Sequence, residues 1–242
     1  MISAKLAYRI SLGGAAVVLL LVLSGLFRAA PVACGGLAAN YAPVIAQELA
    51  RSIADLHAIF GDAPSACRTA LADKINLVTV IDSVAFIPAY GVFLLFFFLA
   101  MVPRDERASF IGFILSAVAV VADYLENVCL FQITALPDSG GFWLGLLAWA
   151  TGAKWIALGL AGAVGGTILI KSGRVNYPAA AACGLSFLGA VLGIANPHLF
   201  GPYISGAVTL SWIVFLIVDI RGAFFADTAS AMPELEVEDG AG

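Results

Sequence analysis

Residues Ala108–Ile133 read A-S-F-I-G-F-I-L-S-A-V-A-V-V-A-D-Y-L-E-N-V-C-L-F-Q-I. A helix of about 20 apolar residues crosses the hydrocarbon core of a bilayer, and this run is long enough. Inside it stand Asp123, Glu126 and Asn127. Their spacing of i, i+3 and i+4 places two acids and an amide on one helix face. A charge in hydrocarbon is expensive unless it faces a partner, water or the bundle interior. The remainder of the chain must supply what lies opposite that face.

The 242 residues are 62% hydrophobic and 12% charged, against about 25% charged in a soluble domain. Mean hydropathy is +1.00. Apolar runs recur at about 6–27, 75–102, 108–133, 142–170, 178–196 and 203–220. This predicts an all-α, polytopic membrane bundle of six transmembrane helices. The short alternating segments of a β-barrel are missing. The 12 Lys and Arg are scattered, so a nucleic-acid surface is not expected. One membrane domain over 1–226 accounts for the chain, followed by an acidic, small-residue tail at 227–242 expected to be disordered. The first run resembles a signal peptide in its basic start and apolar centre. The A-x-A cleavage pattern is poorly formed in R-A-A-P-V-A-C, and a retained helix is preferred. Pro88, inside the second span, removes a backbone donor and predicts a kink.

The segment 29–73 is a loop of about 45 residues, far longer than the other connections, and loops of that length often carry function. Within Tyr41–Phe60, apolar residues recur at Val44, Ile45, Leu49, Ile53, Leu56 and Phe60, while Glu48, Arg51 and Asp55 fall elsewhere. That pattern predicts one amphipathic helix, lying on the membrane or capping the bundle, stopped by Gly61-Asp62-Ala63-Pro64. Cys34 and Cys67 bracket it and are expected to form a disulfide, which requires an oxidising compartment.

Orientation follows from basic residues in short loops. Lys5 and Arg9, Arg104 and Arg107, Lys171 and Arg174, and Arg221 fall on one side, while the turns at Asp138 and His198 carry no Lys or Arg. The expected topology is a multi-pass inner (plasma) membrane protein with both termini cytoplasmic and the long loop external or periplasmic. The charge pattern and the cysteines reach this placement independently. The pairs Gly162/Gly166 and Gly189/Gly193 form G-x-x-x-G, which suits packing within the bundle or a homodimer through small-residue faces.

Depth along each span follows from a rise of about 1.5 Å per residue. Asp82 falls roughly 10 Å below the outer face, Glu126 at the same level, Asp123 a turn deeper, and Lys154 near the midplane. Asp82, Asp123, Glu126, Asn127 and Lys154 thus occupy overlapping levels on three consecutive spans and are the candidate site for a substrate or ion. One reading is an ion-pair knot that fixes helix register. Three acids face one base, however, so carboxylates are left to take up a proton or a cation. That condition suits proton- or cation-coupled transport of a small or lipidic solute. The alternatives are a membrane-embedded lipid-modifying enzyme using paired carboxylates as acid and base, and a non-catalytic assembly or accessory protein. The partners expected are the bilayer and a proton, cation or lipid ligand.

His57 and His198 both lie on the loop side, where they can contribute to a lid. No H-E-x-x-H, G-x-S-x-G, P-loop or dinucleotide pattern appears, so neither a cofactor nor a metal is identified. Trp143 reads as an interface anchor, and of Trp149 and Trp155 at most one shares the site with Lys154. Asp219 and Arg221 read as a charged boundary at the far end of the last span.

Overall fold

The computed structural model describes residues 2–25, 33–138, 141–173 and 176–225. The tail 227–242 and the basic residues Arg28 and Arg174 lie outside the described residues. Among the described residues, six helices are long and apolar enough to cross a membrane, and there is no strand. The protein is a polytopic α-helical membrane protein.

Helix α1 (Ala4–Leu23) starts at Ser3, whose hydroxyl accepts from the Leu6 amide. Two short helices follow in the loop, α2 (Pro43–Glu48) and α3 (Ile53–Phe60). This corrects the single helix expected over Tyr41–Phe60. The break has a local cause. Ser52 and Asp55 form a capping box, and the Asp55 carboxylate accepts from the amides of both Arg51 and Ser52 at 2.9 Å. Satisfying those amides with a side chain starts a new helix at Ile53 in place of continuing the old one. The change of direction turns Glu48 inward.

The second span begins earlier than the apolar run, because Ser65 caps α4 (Ala66–Ile81) well before Ile75. The helix then widens into a π-helical turn (Asp82–Phe86) and resumes as α5 (Ile87–Met101). Pro88 has no N–H and its ring crowds the carbonyl four residues back, so the extra residue of a π turn relieves the clash that a regular helix would meet there. Helix α6 (Glu106–Ala135) is capped by Asp105, which also pairs with Lys171 at 2.5 Å. That pair ties the start of α6 to the end of α7 (Gly141–Lys171). Helix α8 (Tyr177–Ala195) leads to a short helix α9 (Pro197–Phe200), a 3-10 turn and α10 (Ile204–Phe225). The tight turn expected at Pro197–Pro202 is therefore itself helical.

Neighbours in space run α1, α5, α6, α7, α8, α10 and back to α1, so the six spans close into a ring. Leu20, Val84, Phe110, Val121 and Leu188 are exposed on its outside, as a lipid-facing surface requires. Phe93, Phe97, Phe98 and Phe215 fill the inside, with the Phe97 and Phe215 rings stacked at 4.0 Å. The glycines of both G-x-x-x-G pairs face helices of the same chain. A methyl on Gly166 would stand 3.0 Å from Cys183 Cβ, and one on Gly162 would stand 3.1 Å from Ser211 Cβ.

Cys34 and Cys67 meet at disulfide distance, their Cα atoms 5.9 Å apart. The Cys34 amide donates to the Ile59 carbonyl, and Leu37 donates to Ala58, so the segment before α2 lies along α3. A Cβ on Gly35 would come within 2.6 Å of the Ala58 carbonyl, which explains a glycine there. Asp138, in the turn between α6 and α7, accepts from Arg68 at 2.9 Å and lies 3.0 Å from His57 Nε2. The guanidinium and imidazole hold its carboxyl below the usual carboxylate range. These contacts fasten α2 and α3 as a cap over one end of the ring.

Candidate functional site

The Asp123, Glu126 and Asn127 face of α6 lies against a single ammonium. Lys154, on α7, is 3.3 Å from Asp123 Oδ1 and pairs directly with Glu126 Oε1. Its third partner is Glu48 of α2, at 2.9 Å. Three carboxylates thus share one ammonium, which donates to Glu48 and Glu126 and has the charge of Asp123 beside it. All four side chains are at least nine-tenths buried. The Glu48 main-chain carbonyl also accepts from Thr151, one turn before Lys154. Gln47 beside it donates to Thr134 of α6 at 2.8 Å. The end of α2 is therefore seated between α6 and α7 through both its backbone and its side chains.

Glu48 corrects the polar-face assignment made from the helical pattern. It is buried and belongs to the charged centre. Burial pushes its carboxyl upward, against the attraction of Lys154. Tyr41 nearby is pushed up to about 12, chiefly by burial and then by Glu48. One local signal for the inward turn was present in the sequence. Ser52-Ile53-Ala54-Asp55 is a capping-box pattern, and it marks a helix start four residues after Glu48.

Asp82 sits at the first position of the π turn, where the wider backbone aims it at α6. It accepts from Asn127 Nδ2 at 2.7 Å, and the same amide donates to Ser83 at 2.9 Å. Asp82 thus has a neutral partner where the other three acids share Lys154. Tyr90 donates to Asp123 Oδ2 at 2.8 Å. Glu126 Oε2 is fully buried and has no hydrogen-bond partner.

A partly open cavity of about 360 Å³ lies beside these groups. Glu48, Asp82, Asp123, Asn127 and Lys154 line it, whereas Glu126 packs behind Lys154 and does not. The aromatic wall is Phe86, Tyr90, Trp155 and Trp212. Trp212 is centred 5.5 Å from Tyr90 and 6.2 Å from Phe86. Of the fourth-span tryptophans, Trp155 lines the cavity and Trp149 is exposed. Val22, Ala42 and Ser205 carry the lining to the capped end. Trp212 and Tyr90 carried no signal in the sequence that separated them from other aromatics of an apolar bundle.

Neither histidine lines the cavity. His57 pairs with Asp138 and Asp62, and His198 lies 3.5 Å from Asp55. Both tie the cap to neighbouring turns. Among the described residues, no group of three or more His, Cys, Asp or Glu is placed to hold a metal ion.

A second buried acid lies towards the opposite end. Asp219 was read as a boundary charge, but it is fully buried. Ser11 of α1 is 2.7 Å from the Phe93 carbonyl and 2.5 Å from Asp219 Oδ2. A hydroxyl has one proton for two acceptors, so both contacts are hydrogen bonds only when the Asp219 carboxyl carries a proton of its own. The correction has a simple cause. α10 continues as a helix to Phe225, which leaves Asp219 inside the ring against α1.

The chemistry of the centre follows from its charge. Four carboxyl groups (Glu48, Asp82, Asp123, Glu126) surround one ammonium, and full ionisation would leave three uncompensated negative charges in a low-dielectric interior. Comparisons of this chain with protein-family models, with curated proteins and with solved structures find no match, so its function is argued from this geometry alone.

Proposed function

We propose that the protein is a proton- or cation-coupled transporter of a small or lipidic solute, with the cavity as its solute site and the carboxylates as its coupling site. The observation that carries this reading is the placement of four acids and one base around a cavity that reaches the capped end of the bundle. Carboxylates at such a position gain or lose a proton or cation when the access of the cavity changes. The basic residues of the short loops support an inner-membrane topology with both termini cytoplasmic and the disulfide-bearing cap outside. The test is solute-driven proton movement in proteoliposomes under a pH gradient. Asp123→Asn and Glu126→Gln are expected to abolish coupled movement, and full retention in both folded variants would reject the coupling.

A membrane-embedded lipid-modifying enzyme is the second reading. It is favoured by the junction of a carboxylate floor with the apolar walls Val22, Phe86 and Leu158, which suits an amphiphile's head and tail. It predicts chemical turnover of the bound molecule in detergent, where no gradient exists. The accessory-protein reading expects a sealed cluster, and the cavity weighs against it.

A further inference from the structure

We infer that the cavity is a recognition site for a small organic cation, an amine with an apolar body, whose ammonium is held by Asp82 against the rings of Phe86, Tyr90 and Trp212. This rests on the proposal that the cavity takes a solute, and it names the chemical class of that solute.

The sign of the ligand comes from the partners already assigned. Lys154 is already surrounded by three carboxylates, whose negative charge repels an incoming anion. Asp82 lines the cavity, is only partly buried, and has Asn127 as its neutral donor. A cation entering the cavity therefore meets an acid that pairs with no cation among the described residues.

The organic character comes from the walls. Asp82, Phe86 and Tyr90 recur every four residues along the second span, which sets a carboxylate and two rings in one line, with Trp212 facing them from α10. A carboxylate beside aromatic faces is the general environment for an ammonium, since the ring quadrupole attracts the charge while the ring covers attached carbons. An inorganic cation needs several oxygen ligands, and the described acids are not grouped to hold a metal. The size comes from the volume. A cavity of about 360 Å³ falls at the lower end of the roughly 300–1,000 Å³ of small-molecule sites, so it admits a small amine and not a whole phospholipid.

The test is equilibrium binding to the purified full-length protein in nanodiscs at about pH 7. Three probes of matched shape are compared by calorimetry: 2-phenylethylammonium, 2-phenylethanol and phenylacetate. The ammonium is expected to bind at least about ten-fold more tightly than the alcohol, and the carboxylate most weakly. Asp82→Asn is expected to weaken the ammonium at least about ten-fold and the alcohol by much less, which removes the preference for the ammonium. Trp212→Leu is expected to weaken the ammonium more than the alcohol. Equal binding of ammonium and alcohol, tighter binding of phenylacetate, or no binding of the ammonium overturns the inference. The wild-type series decides this even where a variant fails to fold. Ammonium binding without coupled flux in proteoliposomes rejects transport and leaves the inference standing. Coupled flux of another solute with no ammonium preference does the reverse.

Discussion

Lys154 compensates three buried acids at once, and its removal is not equivalent to the removal of any one of them. Lys154→Met leaves Glu48, Asp123 and Glu126 without a cation, and breaking a buried pair in this way costs about 3–5 kcal/mol. Glu126→Gln in the same chain removes one of the stranded charges and is expected to recover part of that loss. A double-mutant cycle on thermal melts in detergent measures the coupling, and simple additivity would contradict the shared ion pair. Asp219 behaves differently because its partner is a hydroxyl. Asp219→Asn keeps a donor towards Ser11 and is expected to cost less than about 1 kcal/mol, whereas Ser11→Ala leaves the acid alone and costs about 1–3 kcal/mol. Equal losses in the same melts would mean that Asp219 is held as an anion.

At the scale of elements, the decisive event is the break between α2 and α3. A continuous helix over Tyr41–Phe60 would lie on the bundle like a strap. The capping box at Ser52 and Asp55 instead lets α2 enter between α6 and α7 and deliver Glu48. The seating of α2 is expected to respond to pH in two windows. Glu48 has a native value raised above its ordinary 4.5 by burial and by the charge of Asp123, against the attraction of Lys154. Its contribution is complete below that ordinary value and is lost as pH rises through the native one. Asp138 has a lowered native value from Arg68 and His57, so its contribution is present above the ordinary 3.8 and fades as pH falls below it. Hydrogen-exchange protection of Ala46, Gln47 and Leu49 should therefore be greatest in mild acid and fall towards alkaline pH. Glu48→Gln should flatten the alkaline limb, and an unchanged limb would place the titration elsewhere.

Across the whole molecule, the Cys34–Cys67 bridge closes a loop over 33 positions and holds the cap to the start of the second span. Closing a loop of that length is worth about 3–4 kcal/mol in the unfolded chain. Cys34→Ser is expected to lower stability by about that amount in an oxidising buffer and to leave the reduced protein nearly unchanged. Comparing melts of both forms with and without reductant checks this, and a variant as stable as the oxidised parent would show that the bridge is not formed. The ring of six spans should persist in either case, since α1, α5, α6, α7, α8 and α10 pack on one another without the cap.

How far the chain could be read without its structure follows the range of the forces involved. The six spans, the long loop and its bracketing cysteines are local properties of composition and spacing. Asp82, Asp123, Glu126, Asn127 and Lys154 could be set at overlapping depths because a helix has a fixed rise per residue. Span boundaries shifted where polar caps, such as Ser65 and Asp105, start helices outside the apolar run. Glu48 and Asp219 were misplaced for a different reason. Each is polar in a setting that reads as a surface or an end, and each is buried against a partner 106 or 208 residues away. The Ser52 capping box was a readable sign of the break, but not of the depth to which α2 enters. Hydrophobic length and helical period determined a six-span membrane bundle with costly charges at one level. Only the tertiary structure decided which charges meet, because the cost of a buried charge is offset by groups that close packing brings together from distant parts of the chain.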